Sequence, residues 1–210
     1  MLDVHPPEHG IHGVRDFAIH LMTITVGLLI ALGLENAVEA MHHRHQRKEA
    51  EATLRQEIAD NQGKLSRILE SSKTTHDNMV RTLLFLQARR DGERGNPSGI
   101  SFSFSETPLE STGWRTALAT GAISYMEPAD VRKFAGAYQE QQLFEEAEVR
   151  ALEHIERLDT FIPQKPDPTK LNPKDLVDAI PDVRNVMADL SAMQDIGRGT
   201  LDTYAEVLKR

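Results

Sequence analysis

The sequence contains no cysteine. Disulfide staples, thiolate zinc sites, iron–sulfur clusters and cysteine nucleophiles are therefore excluded, although a cysteine-free chain suits either side of a membrane. Aromatic residues are scarce, at 5% with a single tryptophan. That is thin for a β-sandwich or barrel and suits helices better. There is no excess of positive charge. Lys and Arg number 24 against 32 Asp and Glu, for a net charge of -8, which argues against a large basic nucleic-acid binder. Mean hydropathy is -0.42 with 27% charged residues, so a polytopic membrane protein is excluded. The sequence also lacks Gly-x-Ser-x-Gly, Walker A and Gly-x-Gly-x-x-Gly patterns. No catalytic residue is assigned, and no enzymatic activity is expected.

One segment departs from this soluble average. Residues 17–34, FAIHLMTITVGLLIALGL, hold no Asp, Glu, Lys or Arg. Eighteen helical residues span about 27 Å, near the roughly 30 Å hydrocarbon core of a bilayer. Ten of the eighteen are Leu, Ile, Val or Phe, contributing about −3 to −6 kcal/mol on an insertion scale. His20, Thr23, Thr25, Gly27 and Gly33 offset part of this. A buried core helix ordinarily carries a polar face, and this one has almost none. A cleaved signal peptide has a basic start, whereas Asp3, Glu8, Arg15 and Asp16 are net acidic, even though Val38 and Ala40 would suit a small-residue cleavage site. The segment is expected to be an uncleaved transmembrane helix over 17–38. Arg15 alone precedes it, and Arg44, Arg47, Lys48 and Arg55 follow it, which favours a cytoplasmic C-terminal body at an inner membrane. Thr23, Gly27 and Ala31 recur every four residues, with Gly33 and Ala37 as a second pair. Such small residues let membrane helices approach closely, in keeping with a homo-oligomer.

Breakers are nearly absent from Glu35 to Arg90, with no proline and only Gly63. The anchor is expected to continue as a long juxtamembrane helix over 39–90. Leu54, Ile58, Asn61, Leu65, Ile68, Ser72, Thr75, Met79, Thr82 and Leu86 alternate at spacings of four and three, a heptad seam. Its polar middle makes it a weak coiled coil or one helix of a bundle. Residues 61–90 carry Lys64, Arg67, Lys73, Arg81, Arg89 and Arg90 against Glu70 and Asp77, read as a solvated face, with contact to anionic lipid or an acidic partner as the alternative. Gly, Pro and Ser then punctuate a loop over 91–110, where Ile100, Phe102 and Phe104 alternate with serine as an extended stretch laid on helices.

A helical pair is expected over 111–162. Trp114, Leu118 and Gly121 fall on one face of its first member, with Ala117 beside them. Pro128 opens the second, marked along one side by Val131, Phe134, Tyr138, Gln141, Glu145, Val149, Leu152, Ile155 or Glu156, and Leu158. Trp114, Phe134, Tyr138 and Phe144 read as core, and Glu145, Glu146 and Glu148 as a solvated face. Four prolines make 163–173 a linker. Asn172-Pro173 is a cap and first helical position for helices over 174–210, marked by Val183, Val186, Leu190, Met193, Gly197, Leu201, Tyr204 and Leu208. With a short tail at 1–16, the expected fold is all-α: a transmembrane helix continuing into a long helix, then a three- or four-helix bundle or coiled coil.

Histidines cluster around the anchor. His5, His9, His12 and His20 precede or enter it, and His42, His43 and His45 leave it. Glu39 and His42 form a Glu-x-x-His pair, and with His43 and His45 they are the candidate metal ligands for a transition metal or haem. A second such pair is missing, since Lys73 and Ala151 stand three residues before His76 and His154. An interfacial flank without cofactor is the stronger reading. His20 sits three residues into the apolar run, at headgroup depth.

The VHPP near the start, the run from Val14 through GLLIALGLENAVEAMHHRHQRKEAEA to Ile58, and the later WRTALATGAISYM resemble an uncharacterised bacterial family of single-pass membrane proteins with a GLLIALGLE-like anchor. The resemblance covers about the first 60 residues and about 15 in the middle. It implies a membrane location and a helical body, and no activity. The expected role is protein–protein contact, as a homo-oligomer or accessory subunit of a membrane complex, with the lipid bilayer as a partner and no nucleic acid.

Overall fold

A computed structural model describes residues 13–93, 104, 108–160, 162 and 172–209. The protein is all-α, and no strand occurs among the described residues. Helix α1 runs from Val14 to Arg90, α2 from Thr112 to Ala119, α3 from Pro128 to Asp159, α4 from Pro173 to Asp178 and α5 from Ile180 to Leu208. A 3-10 turn, Ala122–Tyr125, lies between α2 and α3. The chain divides into two units, residues 1–48 and 49–210. Helix α1 contributes to both.

In the first unit, α1 starts earlier than the apolar run, because Gly13 adopts φ 106 and its carbonyl accepts from the amides of Asp16 and Phe17. Every residue from Val14 to Met41 is exposed. The tail histidines His5, His9 and His12 lie outside the described residues.

The second unit is a bundle of α1 from residue 49, α3 and α5. The hydrogen bonds fix its directions. Glu57 meets Tyr138 and Asn61 meets Gln141, so α1 and α3 run parallel. Arg55 meets Val207 and Ser72 meets Gln194, so α5 runs antiparallel to both. All ten seam residues from Leu54 to Leu86 are buried, together with Phe85. The seam is thus filled from within the chain, by Phe134, Phe144, Leu158, Val183, Leu190 and Tyr204 among others.

Two stripes turn out differently from their sequence reading. On α3 the buried face runs Phe134, Ala137, Tyr138, Gln141, Phe144, Ala147, Glu148, Ala151, Ile155 and Leu158. Val149 is exposed instead, and Glu145 half-buried. Successive steps of four rotate a marker by about 40° each, so Glu145 and Val149, four and eight residues past the buried Gln141, drift off the face that steps of three restore. Alanines complete that face, and their small size hides them from a search for large apolar residues. Glu148 is buried, a correction to its reading as part of a solvated cluster. On α5 the face ends Gly197, Thr200, Tyr204 and Val207, with Leu201 and Leu208 only half-buried, for the same geometric reason.

The expected helix over the Trp114 segment is cut short. Gly121 sits in the left-handed region at φ 73 and ends the turn after α2, so it shares no helical face with Trp114. Leu118 is 54% exposed, and Ala117 takes the buried position. Trp114 stacks on Tyr138 with ring centroids 5.3 Å apart. Asn172 caps α4 by accepting from the Lys174 amide at 3.0 Å. Of the expected extended stretch, Ile100 and Phe102 lie outside the described residues, and Phe104 packs against the core. Most of the 163–173 linker is likewise outside them.

Candidate functional site

Two places carry chemistry worth describing. The first is the exposed half of α1. Three of its polar groups bond along the helix itself. Thr23 Oγ1 donates to the Ile19 carbonyl at 2.9 Å, and Thr25 Oγ1 to that of Leu21 at 2.8 Å. His20 Nδ1 lies 3.0 Å from the Asp16 carbonyl oxygen, so that ring nitrogen is satisfied by carrying the proton and donating. Back-bonding of this kind removes polar groups from the helix surface, which an apolar solvent requires. A Cβ placed on Gly27 or Gly33 meets nothing within 4 Å, and Thr23, Gly27, Ala31 and Gly33 are all exposed.

At the exit, His43 Nε2 lies 3.8 Å from Glu39 Oε1, one turn apart, and the rings of His42 and His43 are tilted with centroids 6.4 Å apart. Successive positions on a helix diverge by about 100°, so His42 and His43 do not converge with Glu39 on one point. Among the described residues no group of three His, Asp or Glu side chains is arranged to hold a metal ion.

The second place is a polar knot inside the bundle. Asn61, buried in the α1 seam, donates from Nδ2 to the Glu110 carbonyl at 2.6 Å and to Gln141 Oε1 at 3.1 Å, while its Oδ1 accepts from the Glu110 amide at 2.8 Å. Gln141 Oε1 also accepts from the Tyr204 hydroxyl at 2.7 Å, and Gln141 Nε2 donates to Glu145 at 3.0 Å. One turn earlier, Glu57 accepts from the Tyr138 hydroxyl at 2.6 Å and from the Gly113 amide at 2.7 Å. Arg55 donates to the Val207 carbonyl at 2.6 Å, satisfying a backbone acceptor in the last turn of α5. Lys64 pairs with the Glu110 side chain at 2.9 Å. The knot ties α1, the 110–113 segment, α3 and α5 into one register.

Burial and hydrogen bonding set its electrostatics. Desolvation pushes the Tyr138 hydroxyl well above the usual tyrosine value, and the bond to the Glu57 carboxylate adds to it. Burial does the same to Tyr204, reinforced by the charge of Glu145. Both phenols therefore stay protonated donors. The arrangement organises the bundle by bonding α1, α3 and α5 to one another. Farther along, His154 on α3 hydrogen-bonds Asp189 on α5. Sequence spacing marked Asn61 and Gln141 as seam positions. It could not show that they meet each other, because residues 80 apart in sequence are joined only by the fold.

The fold is thus a helical body preceded by a helix that, alone among the described residues, is long and apolar enough to cross a membrane. Comparison with family models, with curated proteins and with solved structures finds no match.

Proposed function

We propose that the protein is a single-pass, membrane-anchored helical protein that acts through protein–protein contacts, as a homo-oligomer or as an accessory subunit of a membrane complex. The carrying observation is the uncharged apolar run 17–34, none of which is buried against the rest of the chain. Ten large apolar side chains left uncovered in water would be strongly unfavourable, at about 1.5–3 kcal/mol for each fully buried one. A bilayer covers them all. The anchor then spans 17–38 of a bacterial inner membrane. Arg44, Arg47, Lys48 and Arg55 against Arg15 support a cytoplasmic body. The resemblance of the anchor and of the Trp114–Met126 segment to a bacterial single-pass family supports the same reading.

The body offers its register knot and core as a platform for such contacts. The experiment is expression of the full chain with a C-terminal reporter, followed by alkaline carbonate extraction and protease protection in spheroplasts. The protein should stay in the carbonate-resistant membrane pellet, with its body protected. Release into the carbonate supernatant refutes the anchor, and digestion of the body in intact spheroplasts refutes the orientation. Partners retained in mild detergent and identified by mass then separate self-association from a subunit role.

A further inference from the structure

Resting on the anchor reading, we propose that Arg44 and Lys48 form a binding site for the phosphate headgroups of anionic phospholipids. The apolar surface of α1 includes a stripe that steps by four and three residues through Ile30, Leu34, Ala37 and Met41, and the next two members of the same stripe are Arg44 and Lys48. All six are exposed. Ile30, Leu34 and Met41 are 59%, 64% and 71% exposed, so this face is left open by the chain itself. At 1.5 Å per residue, Arg44 sits about 9 Å and Lys48 about 15 Å beyond residue 38, where the anchor ends. Side chains on a helix lean toward its N-terminus, so both cations reach back toward the phosphate layer that borders the acyl chains. Both side chains have apolar stems that lie along such a surface while the charge reaches water.

The nearby acids are directed elsewhere. At about 100° per residue, Glu35, Glu39 and Glu49 lie about 140°, 180° and 100° round the helix from the centre of the stripe. Glu39 faces His43 at 3.8 Å. Glu51, one turn past Lys48, is engaged by Arg55 at 3.3 Å. From Met41 to Lys48 no acid intervenes. The stripe therefore changes from apolar to cationic along one line, which complements a lipid with acyl chains below and a negative headgroup above. Arginine supplies paired donors to phosphate oxygens, and lysine a mobile point charge.

Each such charge near an anionic surface is worth about fivefold in partitioning, so the pair sets a preference of roughly 25-fold. The test reconstitutes the full chain into vesicles of phosphatidylcholine alone and of phosphatidylcholine with an equal share of phosphatidylglycerol. Flotation after carbonate washing reports anchoring. Native mass spectrometry of protein released from the mixed vesicles reports which lipids stay bound.

Wild type should float with both compositions and retain phosphatidylglycerol at least fivefold over phosphatidylcholine, a preference that shrinks in 0.5 M salt, where the Debye length is only a few ångströms (about 3 Å at 1 M). R44Q/K48Q should float equally and retain both lipids alike, while R44K/K48R keeps the preference. R89Q/R90Q, which removes as much charge elsewhere, should leave it unchanged. Flotation without a lipid preference overturns the proposal and leaves the anchor standing. Loss of the preference in R89Q/R90Q, or its survival in R44Q/K48Q, overturns the assignment to this pair. Failure to float with either vesicle overturns the anchor and this proposal with it.

Discussion

Replacing Asn61 with leucine separates two uses of the α1 seam by sign. In an intermolecular coiled coil, an asparagine in the seam fixes register at a cost in stability, so leucine would raise stability. In the bundle, Asn61 satisfies both backbone groups of Glu110 and donates to Gln141. Leucine has the same branched shape and is somewhat larger, so the change removes hydrogen bonds and opens no cavity. It leaves the Glu110 amide without its acceptor. The Glu110 carbonyl keeps Gln141 Nε2 at 3.2 Å, and Gln141 Oε1 keeps Tyr204. One orphaned amide costs about 1–3 kcal/mol and two weakened acceptors about 0.5 kcal/mol each, offset by about 1 kcal/mol of apolar gain. The net is a loss of about 1–3 kcal/mol. With a urea slope of about 2 kcal/mol/M, the midpoint falls by roughly 0.5–1.5 M. Trp114, the single tryptophan, stacks on Tyr138 beside the knot and reports unfolding of the full chain in mild detergent by fluorescence. N61L combined with Q141L should show a coupling of about 0.5 kcal/mol or more, since the two touch. An unchanged or raised midpoint in N61L, or strict additivity with Q141L, refutes the intramolecular knot.

Four further outcomes follow from the same structure. Gly197→Ala places a Cβ 2.6 Å from Leu69 Cδ2 and 3.1 Å from Phe144, so it should lower the urea midpoint by about 1–3 kcal/mol in stability. Gly199→Ala meets nothing within 4 Å on the same helix and should raise it by up to about 1 kcal/mol. Leu86→Ala empties a fully buried seam position and should cost about 2–5 kcal/mol, whereas Leu84→Ala, 61% exposed two residues away, should stay within about 0.5 kcal/mol in the same melt. The Tyr138 and Tyr204 hydroxyls are raised above their ordinary value of 10.0, so their stabilising contribution is complete below that pH and is lost as pH climbs above it. A melt series from neutral to strongly alkaline pH should show this fall, and the Y138F/Y204F double variant should show less of it. Leu28→Arg puts a charge mid-run at about 2.5–3.5 kcal/mol on an insertion scale and should shift part of the protein out of the carbonate-resistant pellet. An unaltered pellet fraction would argue against a spanning helix.

Some of this was legible in the sequence because it is local. A proline-free, nearly glycine-free run from Glu35 to Arg90 dictates a continuous helix, and the heptad spacing identified ten of its eleven buried positions. Pro128 and the Asn172-Pro173 cap marked helix starts for reasons contained within one turn. The α3 face was harder. Ala137, Ala147 and Ala151 are buried in the bundle core, and alanine reveals nothing of its neighbours by type. Glu148 looked solvated because three glutamates within four residues ordinarily are, and burial at Glu148 depends on what packs over it.

The division has one physical cause. Hydrophobic content, helix punctuation and periodicity act within a few residues, so the sequence alone determined an all-α chain with one apolar segment long enough to cross a bilayer, and most of the seam that faces the core. Which surface fills that seam is a long-range matter. Only the tertiary structure decided that α3 and α5 of the same chain cover it, and that Asn61, Gln141, Tyr204 and the Glu110 backbone meet in one knot. A buried amide must find a partner, and its partner lies 49 and 80 residues away, at a distance no spacing rule reaches.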